Sequence, residues 1–543
     1  MHYKKLPILP KIVMAAFLLL FCACQKHEEN HLFVSCDSMF ISNGQTLYFD
    51  ITTDAKSECQ FEITSMPEWL RIRPLIGWVQ AGNAAHLAAT TLFDYFDSNN
   101  IHYGTISITS DVENVTIEVV GVANPDVIFS VSDTLVYPNG INVQTLKVTN
   151  NSELTLPYSI TTSSNAISVE SDHGEVPPHG QADIQVEIDR EAIIDGFISP
   201  TLDVTVNEIV KTVSFEIERK RLLPAEVIDA EYSKTRDVLA YVTDKRTLNV
   251  YHPDTKNTDV IQLRYRPTCL SLSLDGNYAA VGFDKHVTYV DLLTCETLTT
   301  NNISCMASDI VLGNNHWAYV VPDSDMLQEI QYLDVSTPNS TVYHLAGIKA
   351  RSKARLHPSG KYIYCAVYGS RPTQIKKFDI QNDTIVFMYD SPSLNTPPFS
   401  DDFWYSEDGN KIFNKGGAVI RATEDQSTDM HKIGSFGYFY TNVATRIFYV
   451  DHSEIKRQIY SIYQLNNGFP NDPYIYVNSS EDYTMKSYIA LEKYMMLNNG
   501  NLVTRYETEP YFVFTDSQGD IIYVITKSAA ADTQWALETI PIQ

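Results

Sequence analysis

Ser273-Leu274-Asp275-Gly276-Asn277-Tyr278-Ala279-Ala280-Val281 is the stretch that decides the fold of this chain. A short apolar segment runs into an Asp-Gly-Asn turn and leaves it as a strand rich in Tyr, Ala and Val. The same shape returns as Leu356-His357-Pro358-Ser359-Gly360-Lys361-Tyr362-Ile363-Tyr364, as Tyr405-Ser406-Glu407-Asp408-Gly409-Asn410-Lys411-Ile412-Phe413 and as Thr515-Asp516-Ser517-Gln518-Gly519-Asp520-Ile521-Ile522-Tyr523. Weaker copies lie around Asp237, Asn315 and Thr445. The turns fall at 237, 276, 315, 360, 409, 445 and 519, so five consecutive steps measure 39, 39, 45, 49 and 36 residues. A period near 40 residues with four short strands in each period is the mark of a β-propeller. The final step of 74 residues is about two periods, read either as one blade with a long insertion or as a degenerate blade near 478–506. Seven blades are expected, with eight as the alternative. A strand from around 220, set beside Trp535–Ile542, would close the ring.

Upstream of residue 221 the alternating strands continue without the repeat. The segment 31–122 offers strands at Thr46–Thr52, Gln60–Thr64, Gly104–Thr109 and Val115–Val120; the segment 123–220 offers Gln144–Asn151, Ala182–Ile188, Leu202–Val206 and Val213–Ile217. Strands at this spacing, divided by turn residues, predict two immunoglobulin-like sandwiches. The chain is therefore expected to be all-β, with domains at 31–122, 123–220 and 221–543. Its 543 residues exceed what one core supports. With 66 acidic residues against 40 Lys and Arg the net charge is −26, and the longest basic run is Arg219-Lys220-Arg221. Nucleic acid is excluded as a partner on that balance.

The amino-terminal residues have a separate role. Lys4, Lys5 and Lys11 precede the apolar run Ile12–Ala23, the pattern of an export signal over 1–23 that is too short to span a bilayer. The run ends Leu20-Phe21-Cys22-Ala23-Cys24, which looks like a lipobox and implies cleavage before Cys24 and its lipidation. The tether 24–30, with Gln25-Lys26-His27-Glu28-Glu29-Asn30 after the anchor, resembles the export tag of Bacteroidetes lipoproteins. That resemblance implies an outer-membrane, cell-surface location and membrane contact through lipid. The other six cysteines form no CxxC or Cys/His cluster, so no zinc site is expected; Cys36 and Cys59 are either paired or free thiols.

Further resemblances rest on particular words. Pro67-Glu68-Trp69-Leu70 together with the closing strands Tyr103–Thr109 and Val115–Val119 looks like a BACON domain, a module associated with carbohydrate binding. Ala240-Tyr241-Val242-Thr243-Asp244 followed by Leu248-Asn249-Val250-Tyr251 is similar to the YVTN propeller repeat, and 356–364 to the lactonase-like seven-bladed propellers. The latter implies a lactonase-like or lyase-like enzyme as one alternative.

No Gly-x-Ser-x-Gly elbow, no His-Glu-x-x-His and no Walker loop is present, and no cofactor is called for. In a propeller the loops joining a blade's second and third strands share one face with those entering the next blade. On that face the reading places Asp244, Lys245, Asp284, Lys285, Asp323, Tyr368, Arg371, Asp451 and His452, with Asp401 and Asp402 before the fifth blade. Asp is also favoured in turns for local hydrogen bonding alone. Trp78 is the candidate stacking platform on the first sandwich, whereas Trp69, Trp317, Trp404 and Trp535 are assigned to packing. The expected function is non-catalytic binding of a polysaccharide or protein ligand by the propeller rim. A second alternative is a docking platform in an outer-membrane uptake complex.

Overall fold

The computed structural model describes residues 30–92, 95–96, 101–123, 127–206, 209–324, 329–370, 374–394, 402–437, 445–465, 470–498, 502–530 and 533–542. The expected all-β class is met: among these residues the one α-helix is Arg190–Asp195.

Two nine-stranded sandwiches come first and share one topology. In each, strands 1, 3, 7 and 5 make one sheet and strands 2, 9, 8, 4 and 6 make the other, with strand 2 parallel to strand 9. The parallel pairs are Ser38–Ser42 with Val115–Val122, and Thr134–Tyr137 with Ile209–Ile217. Alternation puts one face of each strand inside, as in Gln181–Ile188, where every second side chain from Ile184 is buried. Trp69 packs edge-on to Phe96 in the first core, as expected. Cys36 and Cys59 are both free thiols.

From Val227 onward the described strands form seven four-stranded antiparallel meanders: 227–262, 269–302, 307–346, 353–390, 403–435, 445–490 and 508–541 with one strand borrowed from upstream. Glu296–Leu312 runs out of the second blade and on into the third without a break. The borrowed strand is Arg221–Leu223, which pairs antiparallel with Trp535–Pro541. Seven hydrophobic cores lie one between each pair of neighbouring blades. The core joining blades 7 and 1 sets Tyr523, Ile525 and Trp535 against Ala230, Leu239 and Tyr241. A row of blades whose last packs on its first is a closed β-propeller.

The repeated turn has a local chemical cause. Ser273 Oγ accepts from the Tyr278 N–H at 3.0 Å and Asp275 Oδ1 from the Asn277 N–H at 3.0 Å, while Ser406 and Asp408 do the same for Lys411 and Asn410. Gly276 and Gly360 both sit at φ +71°, a conformation that costs side chains with a Cβ. The sixth turn differs from the reading. It joins Thr445–Ser453 to Gln458–Leu465, and 445 begins a strand instead of marking a turn. Among the described residues no eighth blade is formed near 478–506: Tyr474–Ser479 and Met485–Ala490 are the outer strands of blade 6, and Tyr494–Asn498 with Leu502–Tyr506 is a two-stranded hairpin.

The second sandwich meets the propeller through that hairpin and the basic run. Arg505 binds Glu216, and Glu218 accepts from the Met495 N–H at 3.0 Å. Lys220 forms a buried ion pair with Glu538, and Arg221 reaches back to Glu191 and Asp195. Arg219 donates to the Ile198 carbonyl at 3.0 Å and pairs with Glu492 at 3.4 Å, so all three cations of the run are structural ties.

Candidate functional site

The inner strands of the blades meet around a funnel of about 850 Å³, to which all seven blades contribute lining residues. It opens on the side of the second-to-third-strand loops and the blade-entry loops. Three kinds of side chain line it. Cations come from Arg266 entering blade 2, Lys353 and Arg355 on the inner strand of blade 4, Lys415 in blade 5 and Lys527 in blade 7. Carboxylates come from Glu226, Asp229, Asp284 and Asp402. Aromatic rings come from Phe448 and Tyr449 in blade 6 and Tyr511, Phe512 and Trp535 in blade 7. The aromatic rings come from blades 6 and 7 and four of the five cations from blades 2, 4 and 5; Lys527 shares blade 7 with the rings.

Two of the cations are held by carboxylates; the other three have no carboxylate partner among the described residues. Arg355 donates to Asp402 at 3.0 Å and to the Phe403 carbonyl at 2.6 Å, and lies over the Trp404 ring at 5.8 Å. Lys353 pairs with Asp309 at 3.4 Å. Burial pulls both cations down, yet Asp309 and Asp402 outweigh it and leave their pKa values raised. Arg266, Lys415 and Lys527 make no ion pair among the described residues, although Lys527 Nζ approaches the Tyr511 hydroxyl at 3.4 Å. Unpaired cations in a cavity of a chain with net charge −26 are the feature that composition does not anticipate.

On the inner strand of blade 1, burial pushes the carboxyl of Asp229 up to about 6 and that of Glu231 up to about 8. Raised carboxyls in a cleft are acid-catalyst candidates on chemistry alone. Here both are engaged: Asp229 accepts from the Leu270 N–H at 2.9 Å and Glu231 from the Leu272 N–H at 2.7 Å, each one blade onward. Asp309 does the same for Ala354, at 2.7 Å, and Asp451 for Thr515, at 2.7 Å. The inner-strand carboxyl groups are ties between successive blades.

Of the rim residues expected from the sequence, the funnel gathers Asp284 and Asp402. Asp244, Lys245, Lys285, Asp323 and Tyr368 lie on the anticipated loops but do not line it. Asp323 is paired with Arg351 at 2.7 Å, Asp244 with Lys245 at 3.4 Å, and Lys285 holds a positive φ of 63° at the turn. Asp451 and His452 are corrected outright: they end the inner strand of blade 6 because the sixth turn falls later than read. Arg371, Asp401 and Cys24 lie outside the described residues. Trp78 is 56% exposed on an edge strand of the first sandwich, remote in sequence from every funnel residue. Trp535, assigned to packing, is buried and also walls the funnel. The signal that could have found Lys353 and Arg355 is their placement in a four-residue strand, Lys353–Leu356, directly before a repeat turn.

No protein-family model matches the chain, and no curated protein is detectably similar to it. Among solved structures, the β-propeller domain of Myceliophteria thermophila Cps50 (Swd1) is similar at TM-score 0.45 and 10% identity, covering 59% of this chain and 99% of that one. U3-55K is similar at TM-score 0.42 and 12% identity, covering 59% and 97%. Neither likeness bears on function, and the propeller stands on its strand order and its seven inter-blade cores.

Proposed function

We propose that this chain is a surface-tethered, non-catalytic lipoprotein whose propeller captures a glycan or protein ligand at the mouth of its central funnel. The observation that carries the reading is the convergence there of Asp284 and Asp402 with five cations and five aromatic side chains drawn from separate blades. A cavity of this volume, with apolar walls and a few convergent polar groups, is the usual form of a ligand site. In this proposal Cys24 carries the lipid in the outer membrane, the two sandwiches are immunoglobulin-like, BACON-type modules that form a stalk, and the head is a YVTN-type propeller. The export pattern over 1–23 and the duplicated sandwich topology support that order.

Two experiments test it. Cys24→Ala should abolish labelling by radioactive palmitate and release the protein from membranes; a variant that stays labelled refutes the anchor. On a glycan and peptide array, Asp402→Ala should weaken a ligand that binds the wild-type head, because it removes a hydrogen-bond acceptor from the lining and the partner that positions Arg355. Array binding that survives both Asp402→Ala and Asp284→Ala refutes the funnel.

A further inference from the structure

We infer that the funnel receives an acidic glycan, an oligosaccharide whose rings carry carboxylates. This deepens the capture reading and rests on it. Five cations stand among the lining residues against four carboxylates, in a chain whose acidic residues outnumber its Lys and Arg 66 to 40. Arg266, Lys415 and Lys527 have no carboxylate partner among the described residues, so an incoming carboxylate need not break an existing pair. Arg and Lys are the side chains that hold carboxylates.

The opposite arc explains why the anion is a sugar. Tyr511 and Trp535 lie with ring centroids 4.8 Å apart, beside Phe448, Tyr449 and Phe512. Such rings bury apolar area while keeping a polar edge, which suits the C–H face of a pyranose. The carboxylates of the lining discriminate further. Asp284 and Asp402 repel a ligand made only of anions, such as an acidic peptide, but accept hydrogen bonds from hydroxyls. A chain of rings bearing both hydroxyls and carboxylates satisfies the cations, the carboxylates and the aromatic wall together.

The test uses the full mature chain and calorimetric titration with tetramers of galacturonate, mannuronate and glucuronate, with their carboxyl-reduced neutral counterparts and with tetraglutamate. At least one uronate tetramer should bind, its reduced form about tenfold or more weaker, and its affinity should fall with added salt. Lys415→Met and Lys527→Met should each weaken binding by about fivefold or more with an unchanged melting temperature, since neither residue holds a carboxylate in the fold. Equal binding of the neutral and acidic forms overturns the acidic class and leaves capture standing. Tetraglutamate binding as tightly as the uronates overturns the glycan. Silence of all the uronates overturns the inference, and silence on the array as well removes the capture reading with it.

Discussion

Replacing Lys220 with Met should loosen the ring at its closure. The ammonium of Lys220 is 0% exposed and its partner Glu538 6% exposed, and Lys220 also lies over the Tyr494 ring at 5.1 Å. The pair sits beside the strand Arg221–Leu223 that completes blade 7. Without Lys220, the Glu538 carboxylate keeps one hydrogen bond, from the Glu492 N–H at 3.2 Å. Breaking one side of a buried pair costs about 3–5 kcal/mol. A propeller of about 320 residues unfolds with roughly 2.1 cal/mol/K per residue, or about 0.7 kcal/mol/K, so the propeller transition should fall by about 4–7 °C. Scanning calorimetry of the full chain measures the fall. Hydrogen exchange should quicken in 221–223 and 535–537 while the sandwich strands keep their protection. Lys220→Met combined with Glu538→Met should recover most of the loss, because an apolar pair of similar volume replaces the ionic one at little cost. A single variant that melts within about 1 °C of wild type, or a double variant as unstable as the single, refutes the assignment of closure to this pair.

Three other outcomes follow from the hub and the first sandwich. Glu231 holds its proton to about pH 8 in the fold but loses it near its ordinary value when unfolded, so stability declines as pH rises through that window and is lowest above it. Glu231→Gln should flatten the decline and raise the melting temperature at pH 9 relative to wild type; a parallel pair of profiles refutes it. Asp309→Ala strips the Ala354 N–H and the Lys353 ammonium of a 6%-exposed partner and should cost about 2–4 kcal/mol by chemical denaturation, with no change predicted for the sandwich transition. Trp78→Ala should change stability by less than about 1 kcal/mol and leave funnel affinity untouched, since the ring is solvent-facing; a loss of affinity would place the ligand on the first sandwich.

The propeller was legible because its turn is local chemistry. Ser-x-Asp-Gly-Asn closes on its own hydroxyl and carboxylate, and Gly276, Gly360, Gly409 and Gly519 each take a positive φ that glycine tolerates. The sixth turn was missed for the converse reason. In Ser453-Glu454-Ile455-Lys456-Arg457 the left-handed place is taken by Arg457 at φ 52°, a residue type that gives no such signal. Asp237 and His316 fill the equivalent place in blades 1 and 3, and those copies read as weak. Displacing one turn by some ten residues put Asp451 and His452 on the wrong face. It also left a gap that invited an eighth blade, where the chain instead builds the hairpin that braces the propeller on the second sandwich.

The funnel was harder to read because distance from the propeller axis is not a property of any local stretch. Asp is drawn to turns for local reasons, so loop carboxylates mark turns whether or not they face a ligand; Asp323 and Asp244 are spent on neighbouring cations in this way. On the inner strands, by contrast, a polar side chain projecting toward the axis has nowhere to go but the shared cavity. Lys353 and Arg355 stand two apart in one strand, and Asp229 and Glu231 two apart in another, the period of side chains on one face. Within a single blade each pair reads as ordinary alternation. Only closure of the ring sets them together, where the carboxylates turn to the next blade's N–H groups while Lys415, Lys527 and Arg266 line the cavity without a carboxylate partner among the described residues. If the funnel takes a ligand as proposed, this division sets its choice: the charges that tie the blades together already have partners, so selection falls to the cations that have no carboxylate.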